Sequence, residues 1–167
     1  MQVLETARLV LREFTAEDAA FILELLNEPG WKKYIGDRGV STLDDARTYI
    51  ETVPRASYAK HGFGLWAVNL KDEDSLIGMC GLIKRDTLED VDIGFALLGR
   101  FEGHGYAREA AVATLAYARD QLGMSRVVAI TTNDNVRSGK LLEQAGMSYE
   151  RPVLQSGETL RLYAIAL

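Results

Sequence analysis

Cysteine is almost missing from this chain. Cys80 is the only one among 167 residues, so an internal disulfide is excluded. The two histidines, His61 and His104, stand far apart in sequence, and no metal site is expected from them. Proline occurs only at Pro29, Pro54 and Pro152, and no proline-rich or low-complexity linker divides the chain. Long apolar runs are missing too: none approaches the roughly 20 residues that a membrane span requires. The opening MQVLETARLVLREF places Glu5, Arg8, Arg12 and Glu13 where a secretory leader needs an uncharged centre, so a cytoplasmic location is expected. Nor is there a basic excess. The 19 Lys and Arg against 24 Asp and Glu leave −5 with both histidines neutral, which argues against a duplex nucleic-acid binder.

What is present has the composition of an ordinary globular protein, 47% hydrophobic and 26% charged. The length suits a single domain over 1–167. Residues 8–14 alternate like a strand. Thr15-Ala-Glu-Asp18 reads as a capping box that opens a helix to about Asn27, stopped by Pro29-Gly30. Thr42-Leu-Asp-Asp45 repeats the signal and opens a second helix to about Val53. The stretch between them, WKKYIGDRGVS, is expected to be an irregular loop of the kind that lines sites. Three strand-like runs follow, 63–70, 75–85 and 91–98, joined by short polar turns that favour an antiparallel meander. From Gly103 the period becomes helical, with Ala111, Leu115, Ala118 and Leu122 on one face and Gly123 as the stop. A buried strand type (126–132), a helix (134–145) and a final strand pair around Gln155-Ser156-Gly157 complete a mixed-sheet α/β domain with helices on both faces.

The chemistry is concentrated in one stretch, DIGFALLGRFEGHGYAREA (92–110). A strand runs into a glycine-containing turn, and the turn opens a helix. Gly103 and Gly105 let main-chain N–H groups approach a ligand, and the first helical amides have no internal acceptor. That is a physical site for a pyrophosphate. Arg100, His104 and Arg108 add charge nearby. A nicotinamide fingerprint does not fit, because Arg108 stands where that motif needs Gly or Ala, and no first βαβ unit precedes it.

VDIGFALLGRFEGHGYAREA and ITTNDNVRSGKLLEQAGM, with the opening LETARLVLREFTAEDAAFI, resemble the GNAT superfamily of acetyl-coenzyme A-dependent N-acetyltransferases, and within it the ribosomal-protein N-acetyltransferase-like branch. The resemblance implies a central, mostly antiparallel mixed sheet of about seven strands. It is splayed between strands 4 and 5 (91–98 and 126–132), and about four helices cover its two faces. It implies acetyl-CoA as co-substrate and no metal. The family's phosphate loop, Gln/Arg-x-x-Gly-x-Gly/Ala, falls on Glu102-x-x-Gly105-x-Ala107. Phosphate contacts are therefore expected from Glu102, Gly103, His104, Gly105, Tyr106 and Ala107. Main-chain contacts to the pantetheine arm are expected at Phe95, Ala96 and Leu97, with Gly94 marking a local distortion of the strand. Asn135 matches the residue that reaches the pantetheine amides, and it also suits a helix N-cap.

The implied chemistry assigns further roles. An ammonium must lose a proton before it attacks a thioester, which asks for a base. Asp92 stands where relatives often carry Glu, while Glu89, Glu158 and His61 are weaker candidates. The main-chain N–H near Leu97 is the expected oxyanion donor. Many relatives carry Tyr seven residues after the matched Asn. Here that position is Leu142, so Ser138 is taken as thiolate stabiliser or acid. Cys80 has no neighbouring His in sequence and reads as a core residue rather than an acyl carrier. Trp31, Tyr34, Tyr58, Trp66 and Phe95 are candidates for the acceptor pocket, although Trp66 and Phe95 equally suit a core. Arg137 and Lys140 are candidates for the adenosine 3′-phosphate. The expected reaction is direct transfer to a primary amine, of a protein N-terminus (a ribosomal protein, for example) or of a small molecule. The expected assembly is a monomer or homodimer. The absent Tyr and the Glu at 102 also suit a non-catalytic coenzyme A-binding sensor or regulatory module.

Overall fold

A computed structural model describes residues 1–167. Eight strands form one sheet: β1 (Gln2–Glu5), β2 (Leu9–Arg12), β3 (Leu65–Leu70), β4 (Ser75–Ile83), β5 (Asp92–Leu97), β6 (Arg126–Thr131), β7 (Ser148–Gln155) and β8 (Glu158–Ala166). Their spatial order is β1-β2-β3-β4-β5-β6-β8-β7. All neighbours are antiparallel except β5 and β6. The strand beyond the expected seven is β1. Four residues of an edge strand, none of them buried, carry too little alternation to announce themselves.

There are six α-helices where about four were expected: α1 (Ala19–Leu26), α2 (Pro29–Tyr34), α3 (Leu43–Ile50), α4 (Ala56–His61), α5 (Tyr106–Asp120) and α6 (Val136–Gln144). Two corrections concern proline. Pro29 does not merely end a helix. It sits at the first position of α2, where its missing N–H costs nothing and its fixed φ suits a helical turn. Thus the first residues of the stretch expected to be irregular are helical. Pro54 lies inside a helix that was expected to end near Val53. The chain widens into a π turn over Glu51–Arg55 and continues as α4 until Gly62, at φ +79°, closes it. Both capping boxes form: the Thr42 N–H donates to Asp45 Oδ2 (3.2 Å), and the Asp45 N–H donates back to Thr42 Oγ1 (3.0 Å).

The sheet is covered on both faces. On one, the alanine-rich side of α5 (Ala110, Ala111, Ala118, with Leu115) packs on Trp66, Val68, Ile77, Cys80, Leu82 and Ile93. On the other, Ile22, Leu25 and Leu26 of α1 and Ala46 and Ile50 of α3 share a core with Phe14, Ala67, Met79 and Leu98. No helix is long and apolar enough to cross a membrane. The parallel pair β5 and β6 touches at one register position, Asp92 opposite Val128, where the Val128 N–H donates to Val91 O at 3.0 Å. Beyond that point the two strands part, as expected.

Candidate active site

The parted strands open a cavity of about 1180 Å³ that passes through the sheet. On one side it is bounded by the start of α6 and the turn after β5, through Glu102, Ala107, Asn135, Ser138 and Leu142. On the other it is bounded by α2 and by the α3–α4 helix, mostly through one stripe of residues three or four apart: Asp45, Thr48, Tyr49, Thr52, Val53, Ala56 and Lys60. Pro54, Ser57 and His61 of the same helix also line it, while Ala46 and Ile50 are buried in the core.

The turn after β5 is built for main-chain donation. Gly103 and Gly105 both sit at φ +82°, a region open to glycine and strained for other residues. The first amide of α5 to find a helical acceptor is that of Glu109, on Gly105 O at 3.0 Å. The amides of Tyr106, Ala107 and Arg108 have no partner within the helix, and the helix dipole adds positive potential there. The turn is braced by Arg8, whose role sequence reading missed. Its Nη1 donates to His104 O (3.0 Å), its Nε and main-chain N–H hold Glu109, and its guanidinium lies 4.5 Å from the Tyr106 ring centre. His104 stacks on Tyr106. Among the expected phosphate contacts, Glu102 and Ala107 line the cavity, whereas Gly103 through Tyr106 do not. The Glu102 carboxylate accepts a hydrogen bond from Arg137 at 2.7 Å, so an ion pair bridges the two lips of the opening.

The direction of β5's main chain decides what a ligand in the gap meets. Val91 O faces β6, and the Leu98 N–H faces β4 through its bond to Ile77 O. The residues between alternate, so Ile93, Phe95 and Leu97 turn their main chains toward β6, with Phe95 and Leu97 at the open gap, while Gly94 and Ala96 present theirs to β4. This corrects one expectation: Ala96 lines the cavity with its side chain, and its main chain is spent on β4 opposite Met79. Side chains divide the other way. Ile93, Phe95 and Leu97 point to the α5 face, and Asp92, Gly94 and Ala96 to the α1–α3 face.

Asp92 lies at the closed end of the gap, 1% exposed, with Oδ1 2.9 Å from Arg85 Nε. Burial pushes its carboxyl up to about 6, against the opposing pull of Arg85. Five residues separate it from Leu97, roughly 16 Å along a strand. Asp92 and the Leu97 amide therefore cannot both touch one reacting carbon. The Phe95 amide, roughly 10 Å from Asp92 on the same scale, is the nearer donor facing the open gap.

The remaining candidates separate cleanly. Asn135 caps α6, its Oδ1 accepting the Ser138 N–H at 3.3 Å, and it also lines the cavity, as does half-buried Ser138. Leu142 is a buried wall residue, and no phenol takes its place. Trp31, Tyr34, Phe95 and His61 line the cavity. Trp66 does not: it is 1% exposed and packs edge-on against Tyr117 in the α5 core. Tyr58 is also structural. Its hydroxyl accepts the Phe14 N–H and donates to Leu65 O. Cys80 is buried beside the Thr114 hydroxyl (3.5 Å), its thiol pushed up to about 12 by burial, and it is no acyl carrier. Glu89, Glu158 and Lys140 stand apart from the cavity, and Arg137 is at its mouth.

Three buried polar side-chain atoms have no hydrogen-bond partner: Trp31 Nε1, Thr131 Oγ1 and Thr132 Oγ1. All three residues line this cavity. Such atoms are costly unless something meets them. Thr131 and Thr132, at the end of β6, carried no sequence signal beyond strand propensity.

Comparison with known proteins agrees with this geometry. The family model for an acetyltransferase (GNAT) domain matches residues 8–148. An uncharacterized N-acetyltransferase of Bacillus subtilis (strain 168), YnaD, is 30% identical over 145 residues, spanning 87% of this chain and 82% of that protein. An acetyltransferase (GNAT family) from Bacillus anthracis superposes with a TM-score of 0.80 at 26% identity, covering 99% of this chain and 98% of its own. The ribosomal L7/L12 alpha-N-protein acetyltransferase RimL, solved with coenzyme A, shares the fold with a TM-score of 0.85 at 14% identity, covering 100% and 98%.

Proposed function

The chain belongs to the GNAT acetyltransferase family, and we propose that it passes the acetyl group of acetyl-CoA directly to a primary amine within a ternary complex. The observation that carries this reading is the line of free main-chain groups running from the start of α5 along Leu97 and Phe95 toward a buried carboxylate. The amides of the Gly103–Ala107 turn hold the diphosphate, with the helix dipole behind them. The pantetheine arm lies in the gap as an extra strand, pairing with Leu97 and then Phe95. Asn135 reaches its amides from the α6 side.

An arm anchored beyond Leu97 carries its sulfur toward Asp92, so the thioester carbonyl meets the Phe95 N–H, with Leu97 serving the arm. The amine enters from the α1–α3 face, where Gly94 has no side chain and Ala96 only a methyl. Asp92 accepts the proton, through intervening water over the distance that separates them. Loss of the proton frees the nitrogen lone pair to attack the carbonyl carbon. The tetrahedral oxyanion is held by the Phe95 N–H, and its collapse expels the coenzyme thiolate, which takes up the second proton that the nitrogen sheds. Ser138, in the first turn of α6, donates to that sulfur. Holding amine and thioester together supplies much of the rate.

The protein N-terminus remains an acceptor class beside small-molecule amines, supported by the fold shared with RimL. Thiol release from acetyl-CoA with a panel of amines and N-terminal peptides is the direct test. Amine-dependent release with a gain of one acetyl group on the acceptor is expected. Tight coenzyme A binding with no release across the panel would instead make the chain a coenzyme A sensor.

A further inference from the structure

The whole molecule is acidic, yet the acceptor half of the cavity is not. Its carboxylates are already engaged. Asp45 accepts from the Ser41 and Thr42 amides, Glu28 from the Gly99 N–H, and Asp92 from Arg85. Its cations are not all engaged. Arg38 and Lys60 line the cavity and enter none of the chain's ion pairs. Tyr49 lines the same lobe. Burial pushes its hydroxyl up, while the charges of Arg38 and Arg85, which line the cavity with it, pull it back. Arg85 in turn holds Asp92. The unpartnered Trp31 Nε1, on a side chain 5% exposed, adds a buried donor in the cavity wall. Donors and positive charge thus line the same cavity as the base, and Arg38, Lys60 and Trp31 Nε1 meet no acceptor in the chain.

We propose that the acceptor carries a carboxylate as well as its amine, and that Arg38, Lys60, Tyr49 and Trp31 Nε1 form the subsite that receives it. The inference rests on the acetyl-transfer reading and sharpens it. Arg85 links the subsite to Asp92, so the amine and the carboxylate are only a few bonds apart. An amino-acid-type molecule supplies that arrangement, and so does a peptide N-terminus with an acidic first or second residue. A polyamine or a basic N-terminus is disfavoured by the same charges.

Matched pairs test this. Amino acids are compared with their C-terminal amides, and peptides beginning Ser-Glu-Asp with peptides beginning Ser-Lys-Lys, by amine-dependent thiol release and by calorimetric binding to the coenzyme A-loaded protein. The acid form of at least one pair is expected to be preferred by about tenfold or more in kcat/KM or in affinity. The pair that shows the preference identifies the source. Arg38→Gln combined with Lys60→Gln should collapse the preference through KM while coenzyme A affinity stays constant. Acetylation of amides or basic peptides as readily as acids would overturn the carboxylate subsite and leave acetyl transfer standing. Absence of acid-selective binding and of all turnover would overturn both. A preference that survives the double substitution would overturn the residue assignment.

Discussion

The two halves of the cavity recognise by different means. The half formed by the Gly103–Ala107 turn, β5 and the start of α6 offers mainly backbone: free amides, a helix dipole and two glycines held at positive φ. The half formed by α2, the segment after it and the α3–α4 helix offers side chains: an indole and a guanidinium, with a phenol and an ammonium on a helix interrupted by a π turn. Backbone recognition tolerates sequence change as long as the chain path is kept. Glu at 102, in place of the family's Gln or Arg, leaves the turn's path intact. Side-chain recognition changes with each residue, so a substitution in the acceptor half alters specificity more readily than one in the backbone half.

The comparison is broken most forcefully where the two halves meet, at Asp92. Asp92→Asn should lower kcat/KM by about 10²–10⁴ and leave coenzyme A affinity unchanged, because the side chain points to the acceptor face. The base must be ionised to act. Wild-type kcat/KM should therefore fall below pH about 6 and level off above it, and this acid limb should vanish in the variant. Stability shifts in the opposite sense. A carboxyl whose folded value lies above its unfolded 3.8 binds more protons in the native state between these values. Stability thus declines as pH rises from about 4 to about 6, and Asn should remove that slope in denaturant titrations. Full activity of the Asn variant across pH would strip Asp92 of its role.

On the backbone side, Gly105→Trp imposes a side chain where φ is +82° and where an added Cβ would stand 3.4 Å from Arg8 Nη2. Loss of two amide contacts to a charged ligand, at about 1.5 kcal/mol each, predicts roughly 100-fold weaker coenzyme A binding by calorimetry. A folded variant with unchanged affinity would refute the backbone cradle. The contrasting change on the acceptor side, Tyr49→Phe, should leave that affinity alone and raise KM for the acceptor a few-fold.

The same division explains what could be read before the structure. Glycine spacing and strand alternation report on the backbone, so the turn at 103–107 and the element order were legible, and the splay followed from the resemblance to the GNAT superfamily. The side chains of the acceptor half depend on how helices pack across a sheet. Trp31 and Trp66 look alike in sequence, yet one lines the cavity and the other fills the α5 core. Pro54 gave no warning of a π turn, because proline usually ends a helix. Main-chain direction was the subtler loss. Whether Ala96 or Phe95 faces the gap turns on strand parity, which only the β4 register settles.

The ion pair between Glu102 and Arg137 sets two charged side chains at the mouth of the backbone half. Both groups are well exposed, so the pair itself adds little to stability. Its larger effect is on charge. Glu102 places a carboxylate beside the turn that receives a diphosphate, and it holds Arg137 away from any phosphate it could otherwise meet. Glu102→Gln should therefore tighten coenzyme A binding by about two- to fivefold, since one screened like-charge contact is removed and one cation released. The gain should shrink as salt is raised, because screening weakens both effects. Arg137→Gln in the same background should cancel only the part owed to the released cation, which separates a freed guanidinium from mere relief of repulsion. If Glu102→Gln instead weakens binding, the carboxylate is orienting Arg137 toward the ligand, and the mouth recognises through side chains as the acceptor half does.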